Sequence, residues 1–197
     1  MNTPLSRRML LASACAAALL TPLAANSQSF PSRPITLIVP WPAGGSTDRH
    51  MRLLAELAGK QLGQNIIIEN KPGGGGTLGT TDVRNAAPDG YTLLYTGTGA
   101  LTVIPHLTPK RYAPTDFVPI GNAVGTPFVI ATTPNSPFRT MAEMVKYAKA
   151  NPDKVSFGSA GYGTTTHMTG EAMALAAGIK LVHVPFQGIS PAVTALI

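Results

Sequence analysis

Residues 35–63 set the architecture of the chain, and they read ITLIVPWPAGGSTDRHMRLLAELAGKQLG. The first five residues are apolar or β-branched and are followed by a proline, which predicts a short buried strand. Apolar residues then recur at the spacing of a helix, and they are Met51, Leu54, Ala55, Ala58 and Leu62. The stretch therefore predicts a strand, a glycine-containing loop and a helix.

The loop between this strand and helix has the composition of an anion-binding turn. Two prolines stiffen the exit from the strand, and Gly44 and Gly45 permit a turn that residues with a Cβ atom disfavour. We expect Ser46 or Thr47 to cap the helix. The first N–H groups of a helix lack intrahelical partners and lie at its positive end, so a carboxylate or phosphate would bind there without lysine or arginine. An ordinary connection between strand and helix is the alternative.

The composition narrows the class of protein. The 197 residues are 44% hydrophobic and 12% charged, which fits one sizeable α/β domain or two small ones. The net charge of +6 is scattered, and the longest basic run is the pair Lys110 and Arg111, so nucleic-acid binding is not predicted. The single cysteine, Cys15, lies in the leader described next, so the mature protein is predicted to form no internal disulfide and no thiolate metal site.

Residues 1–27 are predicted to be an export signal. Arg7 and Arg8 precede an apolar, alanine-rich stretch, which is followed by a proline and small residues. Cleavage is expected before Gln28, with a cut after Ala25 as the competing site. The arginine pair also resembles a twin-arginine signal, so the Sec and twin-arginine routes both stay open. The predicted location is the periplasm.

The remaining chain alternates strands and helices. Further strands are predicted at residues 65–69, 91–96, 128–132, 155–158 and 181–184. Helices are predicted from the glycine run at 73–79 to about residue 86, over 140–150, after a second glycine loop at 159–166 to about 177, and over 190–197. Residues 98–125 contain four prolines and no helical period, which indicates a passage between two lobes. Units of strand, loop and helix predict a parallel sheet with ligand-facing loops at its carboxyl edge.

Other motifs carry weaker signals. Residues 74–79 satisfy the dinucleotide pattern G-x-G-x-x-G, but the strand that follows does not end in the acidic residue that would hold a ribose. The four histidines lack the spacing of a metal site, and we predict no cofactor, no metal and no catalytic residues. His167, in the first turn of the helix after the second glycine loop, either packs that loop or contacts a ligand. We expect Asp48 to stabilise the positive end of its helix rather than contact an anion, which it would repel.

Several segments resemble the substrate-binding proteins of tripartite tricarboxylate transporters, the TctC or Bug family. The resemblance runs from about residue 30 to residue 197 with the same order and spacing. It is carried by residues 39–48 (VPWPAGGSTD), 62–64, 69–73 (ENKPG), 87–94 (APDGYTLL), 158–163 (GSAGYG) with His167, and 184–188 (VPFQG).

The resemblance implies a two-lobed α/β fold of the type II periplasmic-binding-protein class with parallel-dominated sheets. Lobe 1 would comprise residues 28–104, the crossing residues 105–125, and an incomplete lobe 2 residues 126–197. Because the family's chains are longer, it also implies that the C-terminal part of the fold is missing. A truncated, non-functional fragment is therefore one alternative, and an exported nucleotide-binding enzyme is another.

The implied function is the capture of a small carboxylate, such as a di- or tricarboxylate, an amino acid or an aromatic acid. The protein would be a monomer that delivers this ligand to the membrane permease subunits of the transporter and catalyses no reaction. Two positions depart from the family: Thr164 stands where serine is usual, and Arg49 where an apolar residue is common. The ligand-binding residues carried over are Ala43, Gly44, Gly45, Thr47, Asp48, Thr98, Gly161, Gly163, Thr164, His167 and Phe186.

Overall fold

The computed structural model describes residues 29–108 and 111–197, so the predicted export signal lies outside the described residues. Three parallel strands form sheet A in the order β2-β1-β3. They are β1 (Ile35–Val39), β2 (Ile66–Asn70) and β3 (Thr92–Leu94). β1 lies in the middle and is buried except for half-buried Thr36. A continuous apolar run suits a parallel strand that is covered on both faces, and the strand predicted here is confirmed.

Two helices connect the strands of sheet A. α1 (Ser46–Leu62) joins β1 to β2, and α2 (Thr77–Arg84) joins β2 to β3. α1 ends at Gly63, whose φ of 66° is left-handed, a conformation that glycine adopts easily at a helix end. Only Met51 and Ala55 of its apolar residues are buried, whereas Leu54 and Leu62 are each 42% exposed. The buried face of α1 is narrower than predicted, because only residues that point directly at the sheet are covered.

A second parallel sheet, sheet B, contains β4 (Ser156–Ser159) and β5 (Val182–Pro185). Three helices accompany it, namely α5 (Met141–Ala150), α6 (Thr165–Ala177) and α7 (Ile189–Leu196). α6 ends at Gly178 in the left-handed conformation, as the sequence predicts. The core beside these elements consists of Met144, Ala148, Ala174 and Ile179. These strands and helices agree with the predicted ones to within one or two residues.

The middle of the chain holds helices that the sequence did not predict. Residues 98–125 were expected to lack helices, but α3 (Thr98–Thr102) and α4 (Ile104–Leu107) lie there. Pro105 stands in the first turn of α4, where its missing N–H is not needed. Tyr112 packs with Ala100 and Ile104, and its hydroxyl donates to the Ala100 carbonyl at 2.6 Å. Short helices carry too little periodicity to be detected, and tertiary packing stabilises them.

The strand predicted at residues 128–132 is wrong. This segment has no regular secondary structure and no strand partner within residues 29–108 and 111–197. Phe128, Val129 and Ile130 are 53%, 86% and 63% exposed. β-branched and aromatic residues favour an extended backbone, but a strand also needs a neighbour for its N–H and C=O groups.

Residues 33–197 form one compact unit that contains both sheets. Sheet A precedes residues 105–125 and sheet B follows them, and the division into two lobes stays a prediction. Within the described part of the chain, every helix is too short or too polar to cross a bilayer.

Candidate functional site

The loops after the strands of both sheets meet on one side of the molecule. Loop 1 (residues 40–47) follows β1, loop 2 (residues 159–165) follows β4, and loop 3 (residues 185–190) follows β5. A Cβ atom built on Gly188 of loop 3 would lie 3.1 Å from Cδ of Pro42, and one built on Gly45 would lie 3.6 Å from Oγ of Ser190. Loops 1 and 3 are therefore adjacent, and they belong to different sheets. The carboxyl ends of parallel strands are the usual place for a ligand site in such folds.

Close backbone contacts connect loop 2 to the glycine-rich segments around sheet A. A Cβ atom on Gly99 would lie 2.8 Å from the Gly163 carbonyl oxygen and 2.9 Å from the Thr165 nitrogen. A Cβ atom on Gly75 would collide with the Tyr162 carbonyl oxygen. The run of glycines that resembles a dinucleotide motif thus lets two backbones approach each other, which is a packing role.

Loop 1 is held by a side chain other than the expected ones. Gly45 precedes the first turn of α1 without a side-chain cap, so the prediction that Ser46 or Thr47 caps the helix is wrong. Instead, the Gly44 N–H donates to Asp48 Oδ2 at 2.8 Å. A carboxylate in the first turn is favoured by the positive end of the helix. Ser46 and Thr47 are not caps because the helix already begins at Ser46, which makes Gly45 the N-cap residue.

The N–H groups of Gly45, Ser46 and Thr47 remain at the start of α1. Within the described ranges, 29–108 and 111–197, no acceptor receives a hydrogen bond from them. Such groups are the first ones of a helix, which have no intrahelical partner. Ala43 and Gly44 are exposed and Thr47 is half-buried, so this part of loop 1 is open to an incoming ligand. The geometry offers several N–H donors to one anionic group.

Loop 2 is bonded mostly to itself. The Gly161 N–H donates to Ser159 Oγ at 3.1 Å, and the Gly163 N–H donates to His167 Nδ1 at 3.1 Å. The Thr164 hydroxyl donates to the Gly161 carbonyl at 2.7 Å. The N–H groups of Gly161 and Gly163 are therefore engaged within the protein.

His167 packs behind loop 2. Its ring is stacked on that of His183 with a centroid distance of 3.8 Å, and the Tyr162 ring lies 5.0 Å away. Because Nδ1 accepts the Gly163 N–H, it carries no proton, and a neutral His167 has its proton on Nε2, 3.6 Å from Glu171 Oε1. His167 is 7% exposed. Of its two predicted roles, this geometry favours packing.

His183 completes this cluster. Its Nε2 atom lies 2.7 Å from Oγ of fully buried Ser159. Burial lowers the pKa of His183, the neighbouring His167 lowers it further, and Glu171 partly opposes the shift. A neutral His183 is therefore favoured in the folded protein.

The other predicted site residues take separate positions. Phe186 lies in loop 3, with its ring against Gly158 and its N–H donating to the Ser159 carbonyl at 3.1 Å. Thr98 is exposed at the start of α3, and Arg49 is exposed in the first turn of α1. No group of three potential metal ligands occurs among the residues described.

Sequence reasoning missed Arg52 and Asn70, which bind Asp48. Arg52 Nε and Asn70 Nδ2 each donate to the carboxylate at 3.0 Å. The spacing of Asp48 and Arg52, four residues apart on a helix, was the available signal for the ion pair. No local pattern indicates the contact with Asn70.

Comparison with known proteins identifies the family. A family model described as the tripartite tricarboxylate transporter family receptor matches residues 50–197. The chain belongs to this family, and the resemblance noted in the sequence is confirmed. The family is one of substrate-binding receptors rather than enzymes.

The chain is similar to longer proteins. It is 42% identical over 177 residues to a UPF0065 protein of Cupriavidus necator, and the match covers 89% of this chain and 54% of that protein. It is 33% identical over 177 residues to protein BugT of Bordetella pertussis, covering 87% and 54% of the two chains. The chain thus spans about half the length of the curated relatives it matches.

Solved structures share the fold. MatC from Rhodopseudomonas palustris with bound malate has a TM-score of 0.78 at 35% identity, covering 85% of this chain and 57% of that one. The periplasmic binding protein BugD has a TM-score of 0.72 at 36% identity, with coverages of 85% and 56%. An R. palustris protein with adipate has a TM-score of 0.71 at 28% identity, with the same coverages. The predicted α/β periplasmic-binding-protein fold with parallel sheets is confirmed.

Proposed function

We propose that this chain is a periplasmic receptor for a small dicarboxylate, which it passes to the permease subunits of a tripartite tricarboxylate transporter without changing it chemically. The observation that carries the proposal is the row of N–H groups at the start of α1, from Gly45 to Thr47, which the described residues leave without an acceptor. Backbone donors at the positive end of a helix bind a carboxylate without a cationic side chain.

The choice of a dicarboxylate draws on two structural neighbours, and loop 3 would give the ligand a second contact. Loop 3 lies against loop 1 through Pro42 and Ser190, and it follows a strand of the other sheet. A ligand bound to loop 1 would therefore meet groups from sheet B as well. Two structural neighbours are described with malate and with adipate, and both of these acids are dicarboxylates.

In this proposal the predicted residues divide into two sets. Ala43, Gly44, Gly45 and Thr47 surround one carboxylate of the ligand. The opposite wall is assigned to loops 2 and 3 with α3, where the candidates are Thr98, Gly161, Gly163, Thr164, His167 and Phe186. Since Gly161 and Gly163 are buried and their N–H groups are already hydrogen-bonded, these two glycines would shape loop 2 rather than donate to the ligand.

Calorimetric titration of the chain with malate, adipate and citrate tests the proposal, with the diamide of malate as an uncharged control. We expect at least one dicarboxylate to bind and the diamide not to bind, because the N–H groups attract negative charge. If none of the three acids binds, the proposal is contradicted. Equal binding of the diamide would also contradict it.

Gly45→Val tests the location. Gly45 has a φ of −69°, which valine adopts without strain, and its Cβ atom would lie 3.5 Å from the Pro42 carbonyl oxygen and 3.6 Å from Ser190 Oγ, where loops 1 and 3 meet. The added methyl groups should obstruct the ligand and weaken binding by about tenfold or more. Gly125→Val is the matched control, because a Cβ atom there meets nothing within 4 Å. Equal affinities of the two variants would place the ligand elsewhere.

A further inference from the structure

A network of three side chains lies directly behind loop 1. Asp48 is 3% exposed, and its carboxylate accepts the Gly44 N–H at 2.8 Å. Arg52 binds it through two nitrogens, Nε to Oδ2 and Nη2 to Oδ1, each at 3.0 Å. Asn70 Nδ2 donates to Oδ1, also at 3.0 Å. Both carboxylate oxygens are therefore occupied, which fixes the orientation of Asp48.

The same network reaches the other end of loop 1. Asn70 is the last residue of β2, and its Nδ2 also donates to the Trp41 carbonyl at 3.0 Å. Its Oδ1 accepts from Arg52 at 3.1 Å. Loop 1 is thus attached to one cluster at Trp41 and at Gly44, the two ends of its turn. A bend held at both ends presents its remaining N–H groups in a defined direction.

The charges of the network matter for an anionic ligand. Arg52, together with the Gly44 N–H and Asn70, lowers the pKa of Asp48 to about 2, so this carboxylate is ionised at neutral pH. An ionised carboxylate beside an anion site repels the ligand, particularly when it is buried. The guanidinium of Arg52 is paired to it in a bidentate geometry and cancels that charge locally.

We infer that Asp48, Arg52 and Asn70 are positioning residues, which hold loop 1 in its anion-binding conformation while Arg52 cancels the negative charge of Asp48. Asp48 is accordingly not a ligand contact. The inference rests on the proposed function and specifies what makes loop 1 selective for anions.

The test compares two helix variants with the wild-type chain. Arg52→Gln leaves Asp48 ionised without its partner, and malate affinity at low salt should fall by about tenfold or more. The loss should shrink as salt is raised, because ions screen the repulsion. Lys60→Gln is the matched control: it removes a charge of the same sign from the same helix and breaks an ion pair of the same spacing, with Glu56 at 2.7 Å. This control should bind as the wild type does.

A second substitution separates electrostatics from structure. Adding Asp48→Asn to Arg52→Gln removes the uncompensated charge, so the double variant should regain part of the lost affinity. A purely structural role predicts the opposite, since the double variant breaks more hydrogen bonds. Arg52→Lys keeps the positive charge and provides a second test if Arg52→Gln does not fold. Its malate affinity should lie within a few-fold of that of the wild type.

Tryptophan fluorescence tests the role of Asn70 in positioning loop 1. Trp41 is the only tryptophan of the chain, so its emission reports on loop 1. Asn70→Ala removes the hydrogen bond to the Trp41 carbonyl, so it should shift the Trp41 emission and weaken malate binding. Lys60→Gln is the control, and its emission should match that of the wild type.

The outcomes distinguish the inference from the proposed function. If the wild-type chain binds malate and Arg52→Gln behaves like Lys60→Gln, the inference is wrong and the function stands. A double variant weaker than Arg52→Gln also overturns the charge-cancelling role, and an unshifted Asn70→Ala emission overturns the positioning role. If the wild-type chain binds none of the acids, the proposed function fails, and with it the assignment of these residues to an anion site.

Discussion

Two histidine rings lie against each other behind loop 2. The stack of His167 on His183 connects the first turn of α6 to β5, and the Phe157 ring lies 4.9 Å from His183. His183 also contacts the buried Ser159 hydroxyl, which in turn accepts the Gly161 N–H. A charge on His183 would be placed among apolar rings and beside a second histidine, so a proton there opposes the folded arrangement.

Stability is therefore expected to fall as the solution is acidified. The lowered pKa of His183 means that the unfolded chain binds more protons than the folded one below about pH 6.5, so the free energy of unfolding decreases from pH 7 towards pH 5. His183→Gln should reduce this dependence on pH, as measured by urea unfolding at several pH values. His50→Gln, at an exposed position of α1, is the control. If the stability of His183→Gln depends on pH as much as that of the wild type, His183 is not the source of the pH dependence.

At the scale of the element, the helices differ in how their first turns are completed. At α5, the Thr140 hydroxyl accepts the Glu143 N–H at 3.2 Å, and the Glu143 carboxylate accepts the N–H groups of Thr140 and Arg139. At α1, the residue before the helix supplies no side-chain acceptor. The first arrangement satisfies a helix end internally, whereas the second leaves donors available. α2 and α7 also begin without a side-chain cap, so the open first turn of α1 is compatible with the ligand position proposed above, and the motif of loop 1 is what selects α1 in that proposal.

The reciprocal cap of α5 makes a measurable contribution. Thr140→Ala removes the hydroxyl acceptor and should lower the free energy of unfolding by about 1 kcal/mol. Thr169→Ala is the matched control, because Thr169 is exposed within α6 and its hydroxyl only donates to a carbonyl of the preceding turn. Alanine is favourable inside a helix, so the control should be neutral or slightly stabilising. Chemical denaturation compares the two, and equal losses would exclude the capping role.

At the scale of the whole molecule, glycine residues allow segments next to sheet A to pack closely against loop 2, which follows a strand of sheet B. Gly99 of α3 touches loop 2 at Gly163 and Thr165, and Gly75 touches it at Tyr162. Side chains at these glycines would separate surfaces that now meet backbone to backbone. The spacing between loops 1, 2 and 3, and hence the shape of the candidate site, depends on these contacts.

Gly99→Ala tests the contact. The new Cβ atom would lie 2.8 Å from a carbonyl oxygen that belongs to the backbone, so the two segments must move apart. We expect a loss of about 1–3 kcal/mol in the free energy of unfolding. Gly125→Ala, where the surroundings are open, should change little. A Gly99→Ala protein as stable as Gly125→Ala would show that the segments are not packed so closely.

The sequence by itself determined the local units. The run of apolar or β-branched residues in β1, the glycines that end α1 and α6, and the hydroxyl-rich loop before α6 predict these elements, because each depends on preferences of residues that are neighbours along the chain. The family motifs of loop 1 likewise lie in one continuous segment. The fold class could therefore be predicted, and the location of the anion site stays a prediction.

Only the tertiary structure decided which distant groups meet. Residues 128–132 have the composition of a strand, but a strand requires a partner and the described residues supply none. Asp48 binds Asn70 of another element, and the glycine run that resembles a nucleotide motif packs against Tyr162. Hydrogen-bond pairing and close packing are properties of two surfaces brought together, and a pattern along one segment contains no information about the other.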